Sequence, residues 1–230
     1  MTYTVRLSDG AVLRYRKGHL SAGREGNKGN RGTIMTTPLT GAAPDGRRQR
    51  SERSKQAIIE AMLDMIGEGI LIPTAQQVSE RAGVGIRSVF RHFEDMESMF
   101  VMADKARRTR YEDIFLGGDR KGTLEQRILH AVEQRAKGYE LYGNVILTTL
   151  AQRWRFAILR KNYERYQRGL RKDLHDWLPE LEALDLSSRE AVHGIASFEF
   201  WNRLRDHQGL SKKAAIEVVV KMLNGLLLLK

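Results

Sequence analysis

The sequence predicts an all-helical fold in which a small helical domain is followed by a larger one. Only four prolines occur in the 230 residues, and none lies between Thr74 and Leu178, so this stretch lacks the strongest helix breaker. Apolar residues recur at helical spacing from Ser54 onward. Three positions carry the capping-box pattern of Ser or Thr followed three residues later by Gln or Glu, namely Thr74 with Gln77, Thr123 with Gln126, and Ser187 with Glu190. With breaks also at Asp95, Gly117-Gly118, Gly143-Asn144, Pro179, Gly209 and Ser211, the sequence indicates about nine helices and no strand after residue 50.

Residues 1–50 are predicted to form a disordered basic tail. Residues 18–50 are rich in Gly, Arg, Asn, Thr and Pro and contain few large apolar side chains, so burial cannot offset the entropy of ordering them. Residues 2–16 alternate apolar and polar around Asp9-Gly10, which is typical of a β-hairpin, although an isolated hairpin is only marginally stable. Met35 precedes a short polar segment, so residues 1–34 are also a candidate extension from a start codon assigned too far upstream.

The composition limits the kinds of chemistry available to the protein. The sequence has no cysteine, which excludes disulfides, thiolate zinc sites and cysteine nucleophiles. We find no phosphate-binding loop, no metal-spaced His/Glu cluster and no nucleophile elbow, so we expect no enzyme, no cofactor and no metal site. The start of the chain lacks the apolar core of a signal peptide, and no later run approaches 18 uncharged apolar residues. We therefore expect a cytoplasmic protein with no membrane partner.

The charge distribution points to a polyanionic partner such as nucleic acid. The formal net charge is +11. Residues 1–53 carry +7, residues 54–102 carry −3, and residues 103–230 carry +7. The positive charge is therefore concentrated outside the segment that contains the strongest motif.

That motif lies in residues 74–93, which read as two short helices joined by a tight turn. The first helix follows a predicted helix of about 14 residues from Ser54, whose apolar stripe ends at Gly67 and Gly69. Gly83 suits the left-handed conformation that ends a helix. Ala75, Val78 and Ala82 form one apolar face, and Val89 and Phe93 form the facing stripe. This is the pattern of a helix-turn-helix, although the same spacing also occurs in plain helical hairpins.

The second helix of the motif presents a mixed outer face that suits a DNA major groove. Hydrogen-bond donors stand there beside apolar edges, which is the combination that base edges and phosphates require. The outward residues are Ile86, Arg87, Ser88, Phe90, Arg91 and His92.

The segment from Ser54 to Phe100 resembles the DNA-binding domain of the TetR family of bacterial transcriptional regulators. The resemblance rests on Thr74, Ala82-Gly83-Val84 and Phe90-Arg91-His92-Phe93. It implies a DNA-binding domain at residues 51–100 and a helical effector-binding and dimerisation domain at residues 101–230. It also implies that Thr74 and Gln76 face DNA, together with the recognition-helix positions Ile86, Arg87, Ser88, Phe90, Arg91 and His92. Among these we expect Arg87 to contact a guanine edge, because a guanidinium donates twice there, and Ser88 and His92 to contact phosphate.

Three departures from the family pattern occur in this segment: two of them, Phe90 and Met96, remove expected phosphate contacts, and the third, Gly85, only weakens a helix cap. Phe90 replaces the usual Tyr, Met96 replaces a usual Lys, and Gly85 replaces a capping Ser or Thr. A basic arm that precedes the first helix is a candidate for compensation, formed by Arg47, Arg48, Arg50, Arg53 and Lys55. The alternative is a solvated tail that only aids solubility.

The larger domain is expected to bind an effector. The fourth helix, residues 95–116, continues from the DNA-binding domain, and the family uses this link to convert ligand binding into a changed separation of recognition helices. Residues 124–175 are rich in rings, namely Tyr139, Tyr142, Trp154, Phe156, Tyr163 and Tyr166. Family pockets lie in this region, but any one of these rings can equally belong to the core or to the surface, so the ligand-binding residues stay unassigned.

The last two helices are expected to form a dimer interface. Residues 188–229 hold two apolar helices separated at Gly209, and the second is apolar nearly all round. The resemblance implies a four-helix interface between two subunits, for which we select Phe198, Trp201, Ile216, Val220, Leu223 and Leu227. A two-fold dimer predicts a palindromic operator in double-stranded DNA.

The function expected from these features is that of a homodimeric repressor released from DNA by a small organic ligand. The alternative is a helical DNA- or protein-binding module without an effector response.

Overall fold

The computed structural model describes residues 2–6, 12–16 and 46–228, and the chain divides into two units, Met1–Pro44 and Asp45–Lys230. In the first unit, strands β1 (Thr2–Arg6) and β2 (Val12–Arg16) pair antiparallel, with Tyr3 opposite Tyr15, as the alternating pattern predicts. The Asp9-Gly10 turn, most of the segment predicted as disordered, and Met35 lie outside the described residues.

The second unit begins with α1 (Gly46–Gly67), which starts eight residues before the predicted Ser54. The Arg50 Nε donates to the Gly46 carbonyl at 3.0 Å, and the Ser54 Oγ donates to the Arg50 carbonyl at 3.0 Å. Residues 46–53 contain Arg, Gln, Glu and Ser but no Pro, and arginine and glutamine have high helix propensity. The prediction of a disordered tail up to residue 50 is therefore wrong for its last residues, and the basic arm is the first two turns of a helix.

Three helices follow with the boundaries that their caps set. They are α2 (Ala75–Ala82), α3 (Ile86–His92) and α4 (Met96–Phe115). The predicted capping box of Thr74 is confirmed, because its side chain accepts from the Gln77 amide and its amide donates to the Gln77 side chain. Asp95 caps α4 in the same way through Ser98.

The rest of the unit contains five further α-helices. They are α5 (Leu124–Gln152), α6 (Ala157–Trp177), α7 (Leu186–Ile195), α8 (Phe198–Asn202) and α9 (Lys212–Leu227). A 3-10 turn at Pro179–Ala183 follows α6, and a π-helical turn at Arg203–His207 extends α8. Helix α5 begins at the predicted capping box of Thr123 with Gln126.

Two predicted boundaries in this region are wrong. The break expected at Gly143-Asn144 does not occur, and α5 runs through both residues. A Cβ at Gly143 would lie 3.7 Å from the Phe198 ring, an ordinary contact distance, so neither a turn nor close packing requires glycine at this position. The box expected at Ser187 is also displaced, because the Asp185 carboxylate accepts from the Ser187 and Ser188 amides at 2.9 and 3.1 Å and caps α7 two residues earlier.

The helices build two hydrophobic cores that share α4. The head core is formed by α1 to α3 and the start of α4, where Met99, Phe100 and Ala103 are buried. The body core is formed by α5 to α9 and the end of α4, where Phe115 is buried. The larger buried members of the head core are Ile58, Met62, Ile66, Val78, Val89 and Phe93, and those of the body core include Ile128, Tyr139, Leu174, Trp177, Leu181 and Leu223.

Polar contacts join the head to the body. The Asn144 side chain donates to the Gly67 carbonyl at 2.8 Å, and the Gln152 side chain donates to the Leu71 carbonyl at 2.9 Å. The Ile158 amide donates to the Glu97 carboxylate at 2.8 Å. These bonds fix the end of α1 and the start of α4 on the body. No helix in the described part of the chain is both long enough and apolar enough to cross a membrane.

Candidate nucleic-acid interface

Helices α2 and α3 form the predicted helix-turn-helix. Gly83 has φ +66°, the left-handed conformation that ends α2, and its amide donates to the Ser79 and Glu80 carbonyls. Val78, Val89 and Phe93 are buried between the two helices and α1, which confirms both predicted apolar faces. Gly85 precedes α3 and gives it no side-chain cap, as expected from its missing hydroxyl.

The outer face of α3 is a line of exposed groups. Arg87 and Arg91 stand one turn apart and are exposed, and neither makes a hydrogen bond or ion pair with another described residue. Phe90 lies between them with 55% of its surface exposed. Two cations without partners beside an exposed ring present charge, donors and an apolar edge on one surface, which is the composition of a major-groove contact.

The remaining predicted contact residues on the motif are partly buried or already make hydrogen bonds. Ile86 packs against the head core, and Ser88 is half-buried. The Thr74 hydroxyl is occupied by its cap, and the Gln76 side chain donates to the Glu80 carboxylate at 2.6 Å. All eight predicted residues lie on the motif, and five of them are exposed, namely Thr74, Gln76, Arg87, Phe90 and Arg91. Of these five, Thr74 and Gln76 already make side-chain hydrogen bonds.

His92 connects the recognition helix to the basic arm. Burial, together with the nearby charges of Arg91 and Lys55, lowers the pKa of His92, while Glu52 acts in the opposite direction. The His92 Nε2 is buried and has no hydrogen-bond partner among the described residues. Because Lys55 and Glu52 belong to α1, the helical arm passes close to the end of α3. This proximity places the arm and the end of the recognition helix side by side.

An ion pair that the sequence pattern did not indicate holds α2 against the end of α1. Both terminal nitrogens of Arg81 donate to the Glu68 carboxylate, at 2.9 and 2.8 Å, and this lowers the pKa of Glu68. The two residues are 13 positions apart, so no local spacing could have predicted the pair. Both side chains are largely exposed, so the pair contributes little to the free energy of folding. Its effect is to position α2 relative to the end of α1.

The body contains a cavity between α4, α5 and α6. It offers about 60 Å³ of space to the centres of water-sized molecules. Of the six rings considered from the sequence, Tyr139, Tyr142, Tyr163 and Tyr166 line it. The other two do not: Trp154 is 80% exposed, and Phe156 packs on Phe100 of the head at 5.2 Å between ring centres. The sequence reasoning missed Asp104, Arg107 and Asn162, which line the same cavity.

The residues selected for the dimer interface divide into two groups. Phe198, Trp201, Leu223 and Leu227 are buried in the body core of a single chain, which accounts for the apolar character of α8 and α9 without a partner. Their selection as interface residues is corrected on this ground. Ile216 and Val220 are only partly buried, one turn apart on α9. Sequence periodicity shows which residues are apolar but not which apolar face is turned inward.

Histidines and carboxylates do not assemble into a metal centre in the part of the chain that the structure describes. His175 and His193 lie close together, with 3.3 Å between their Nε2 atoms. Burial is the main cause that lowers the pKa of His193 to about 4, and the charge of Arg171 adds to it. His193 is therefore largely uncharged near neutral pH.

Comparisons with known proteins place the fold. No protein-family model matches the chain, and no curated protein matches its sequence. A solved transcriptional regulator from Rhodococcus sp. RHA1 is 16% identical, with a TM-score of 0.54 over 76% of this chain and 95% of that one. A TetR regulator from Rhodococcus sp. RHA1 is 16% identical, with a TM-score of 0.45 over 80% of this chain and 99% of that one. A TetR-family regulator from Pseudomonas syringae pv. tomato DC3000 is 17% identical, with a TM-score of 0.44 over 80% of this chain and 97% of that one. The first comparison confirms the predicted all-helical fold, which this chain shares with a solved transcriptional regulator; at this identity it shows the fold alone.

Proposed function

We propose that this protein is a sequence-specific DNA-binding transcriptional regulator. The observation that carries the proposal is the outer face of α3, where Arg87 and Arg91 stand exposed without partners among the described residues, on a correctly formed helix-turn-helix. The exposed Phe90 ring between two exposed guanidinium groups gives this face charge, donors and an apolar edge together, which suits a DNA major groove. Likeness in fold to a transcriptional regulator supports the same interpretation.

The regulator is proposed to act as a homodimer on a palindromic operator. A single α3 of seven residues reads only a few base pairs, and a two-fold dimer would place a second copy in the next major groove. Ile216 and Val220 leave a partly exposed apolar strip on α9, which suits a partner helix. Val220→Glu is expected to give monomers in sedimentation at micromolar concentration, whereas Lys221→Asp, at a neighbouring exposed position, is expected to leave the dimer intact. A wild-type monomer would contradict this part of the proposal.

A ligand is proposed to release the regulator from DNA, which makes it a repressor when the operator overlaps a promoter. Helix α4 is buried in the head core at one end and in the body core at the other, and the cavity lies beside it. A ligand that favours a different position of α4 would bind the released form better than the DNA-bound form, as linkage requires.

The first test is selection of bound duplexes from a random pool at a stated salt concentration. We expect one enriched palindrome. Arg87→Ala should relax the preference at one symmetric base position by about 5- to 150-fold, the range for removing a bidentate hydrogen-bond pair worth roughly 1–3 kcal/mol. Arg168→Ala is the matched control, because Arg168 is exposed on α6, far along the chain from the motif.

The outcomes separate the possible roles. No enrichment with the wild-type protein would refute sequence-specific DNA binding. Enrichment that is unchanged in Arg87→Ala would refute the assigned role of Arg87. Binding that no tested compound releases would favour a DNA-binding module without an effector response. A reporter placed behind the selected operator then decides the sign of regulation, with lower expression expected when the protein is present.

A further inference from the structure

The wall of the cavity in the body is mostly apolar but includes charged side chains. Most of its surface is formed by rings and aliphatic side chains from α4, α5 and α6, together with Phe198. Tyr111 lies at 4.3 Å from Tyr166 and 5.2 Å from Tyr142 between ring centres, so three rings form a continuous aromatic wall. Into this wall α4 contributes two charged residues, Asp104 and Arg107. Their surroundings differ in a way that indicates what the cavity binds.

The carboxylate of Asp104 is fully paired with neighbouring side chains. It accepts from the Tyr166 hydroxyl at 2.5 Å, from Arg108 at 2.6 Å and from Arg165 at 3.0 Å. Burial alone would raise the pKa of Asp104, but these bonds from Tyr166 and the two arginines lower it overall. The negative charge of the wall is therefore stable and already neutralised.

The guanidinium of Arg107, in contrast, has no such hydrogen bonds among the described residues. It lines the cavity, is partly buried, and makes no hydrogen bond or ion pair with any residue that the structure describes. Burial lowers the pKa of Arg107, and the opposing effects of Tyr142, Tyr166 and Asp104 do not cancel this. A guanidinium remains charged in proteins, and a charge withdrawn from water without a partner is costly. The wall thus holds a cation that no described carboxylate contacts by a hydrogen bond or an ion pair, although the charge of Asp104 acts on it from a distance.

Uncharged polar groups in the same cavity also lack partners. Asn162 is only 5% exposed, lines the cavity, and its Oδ1 has no hydrogen-bond partner among the described residues. The Tyr142 hydroxyl likewise makes no hydrogen bond within the described part of the chain. Buried polar side chains normally find a partner, so Asn162 and Arg107 give the cavity wall two polar groups whose hydrogen-bonding capacity the described residues do not use.

We propose that this cavity binds a small ring-bearing carboxylate, such as an aromatic or alicyclic monocarboxylic acid, with its carboxylate on Arg107. As an account of the effector class, it rests on the proposed function. The planar guanidinium matches a carboxylate with two parallel bonds, and the Tyr142 hydroxyl adds a donor. The aromatic wall receives the ring, and a hydroxyl on that ring would accept a hydrogen bond from the Asn162 Nδ2 group.

Charge and size restrict the ligand further. Among the described residues that line the cavity, Arg107 is the one cation, and a single cation balances a monoanion better than a phosphate or a dicarboxylate. The cavity is small, about 60 Å³, which favours a compact ligand with one ring.

The test compares three probes of nearly equal shape that differ in charge. Benzoate is the anion, benzamide the neutral amide and benzamidine the cation. Each is titrated into the full chain without DNA, up to about 10 mM, and binding is followed by calorimetry and by thermal shift. We expect benzoate to bind at least tenfold more tightly than benzamide, and benzamidine to show no binding. The three hydroxybenzoates are included, and one isomer is expected to bind more tightly than benzoate through Asn162.

Variants locate the site. Arg107→Gln should abolish the preference for benzoate over benzamide, and Asn162→Leu should abolish the preference among the hydroxybenzoates while keeping that for benzoate. Lys105→Gln is the matched control, because Lys105 is exposed on the same helix, does not line the cavity, and carries the same charge change. Equal binding of benzoate and benzamide to the wild-type protein, binding of neither, or an unchanged preference in Arg107→Gln would each overturn the proposal.

Because these titrations contain no DNA, their outcome is separate from that of the proposed function. Carboxylate binding by a protein that selects no duplex would keep this site and refute the regulator. Duplex selection without carboxylate binding would do the reverse. Where both hold, benzoate added to the complex with the selected duplex should release wild-type protein, and Arg107→Gln should stay bound.

Discussion

A single added methyl group at Gly138 should loosen the joint between α4 and the body. Gly138 lies in α5, and a Cβ built there would stand 2.4 Å from the Phe115 Cε1 and 2.5 Å from its Cζ. Phe115 is fully buried at the end of α4, with Tyr111 at 4.4 Å and Tyr139 at 5.5 Å between ring centres. Since neighbouring rings confine it on two sides, the Phe115 ring cannot move away without displacing them.

The expected magnitude is the difference between two opposing effects. Overpacking a filled core typically destabilises by about 1–3 kcal/mol. Replacing a mid-helix Gly by Ala stabilises the helix by about 1 kcal/mol. Because the clash in Gly138→Ala is with a ring and not with a flexible chain end, we expect the upper half of the overpacking range. The free energy of unfolding should therefore fall by about 1–2 kcal/mol.

Urea unfolding at one protein concentration measures this change, and Gly169→Ala provides the matched control. Gly169 lies within α6, and a Cβ at this position would meet no neighbouring atom within 4 Å, so the same substitution should stabilise by up to about 1 kcal/mol. The two variants are thus expected to differ in sign. Phe115→Leu should reduce the effect of Gly138→Ala in a double-mutant cycle, because it removes the atoms that clash. If Gly138→Ala stabilises the protein as much as Gly169→Ala, the packing argument is refuted.

Three further predictions concern the arm, the histidine pair and the turn. Replacing Arg50 and Arg53 by Gln should reduce the slope of log affinity for DNA against log salt concentration. The expected reduction is about 0.9 for each phosphate that the arm no longer binds. An unchanged slope would mean that the arm does not contact DNA. Because the pKa of His193 is about 4 when folded and near 6.5 when unfolded, the unfolded state takes up the proton first, and stability should fall as the pH drops from 7 to 5. The loss is about 1–2 kcal/mol after allowance for partial solvent exposure, and urea unfolding of His193→Gln should show a smaller pH dependence. Gly83→Ala should destabilise by about 1–2 kcal/mol, because φ +66° strains any residue with a Cβ, and a neutral effect in thermal unfolding would contradict the assigned turn.

The features that the sequence predicted well are set by residues close together in the chain. The helix-turn-helix follows from the spacing of Val78, Val89 and Phe93 and from Gly83 at the turn. The cap at Thr74 depends on a residue three positions away. Such signals are complete within a few turns of helix, so tertiary packing had little opportunity to override them.

The features that the sequence did not predict depend on contacts between distant residues. The pairing of Arg165 with Asp104 spans 61 positions and leaves Arg107 without a partner among the described residues, so no local pattern could reveal the charge of the cavity. The inward face of α9 is likewise decided by packing on α5 and α7, and this moved Leu223 and Leu227 from a predicted interface into the core. The prediction of a break at Gly143 was wrong because α5 continues through this residue, and the structure shows no contact that requires glycine there.

Because helix α4 is anchored in two cores, it can rotate as a rigid body about one of its ends. Its 20 residues span about 30 Å at 1.5 Å per residue. If one end stays fixed, a rotation of only about 5° moves the other end by roughly 2–3 Å, close to the 3.4 Å rise of one base pair. In a two-fold dimer both copies of α4 turn in opposite senses, so the separation between recognition helices changes by up to twice that distance. A displacement of less than about 1 Å beside Arg107 is thus enough to take the two recognition helices out of step with the double helix.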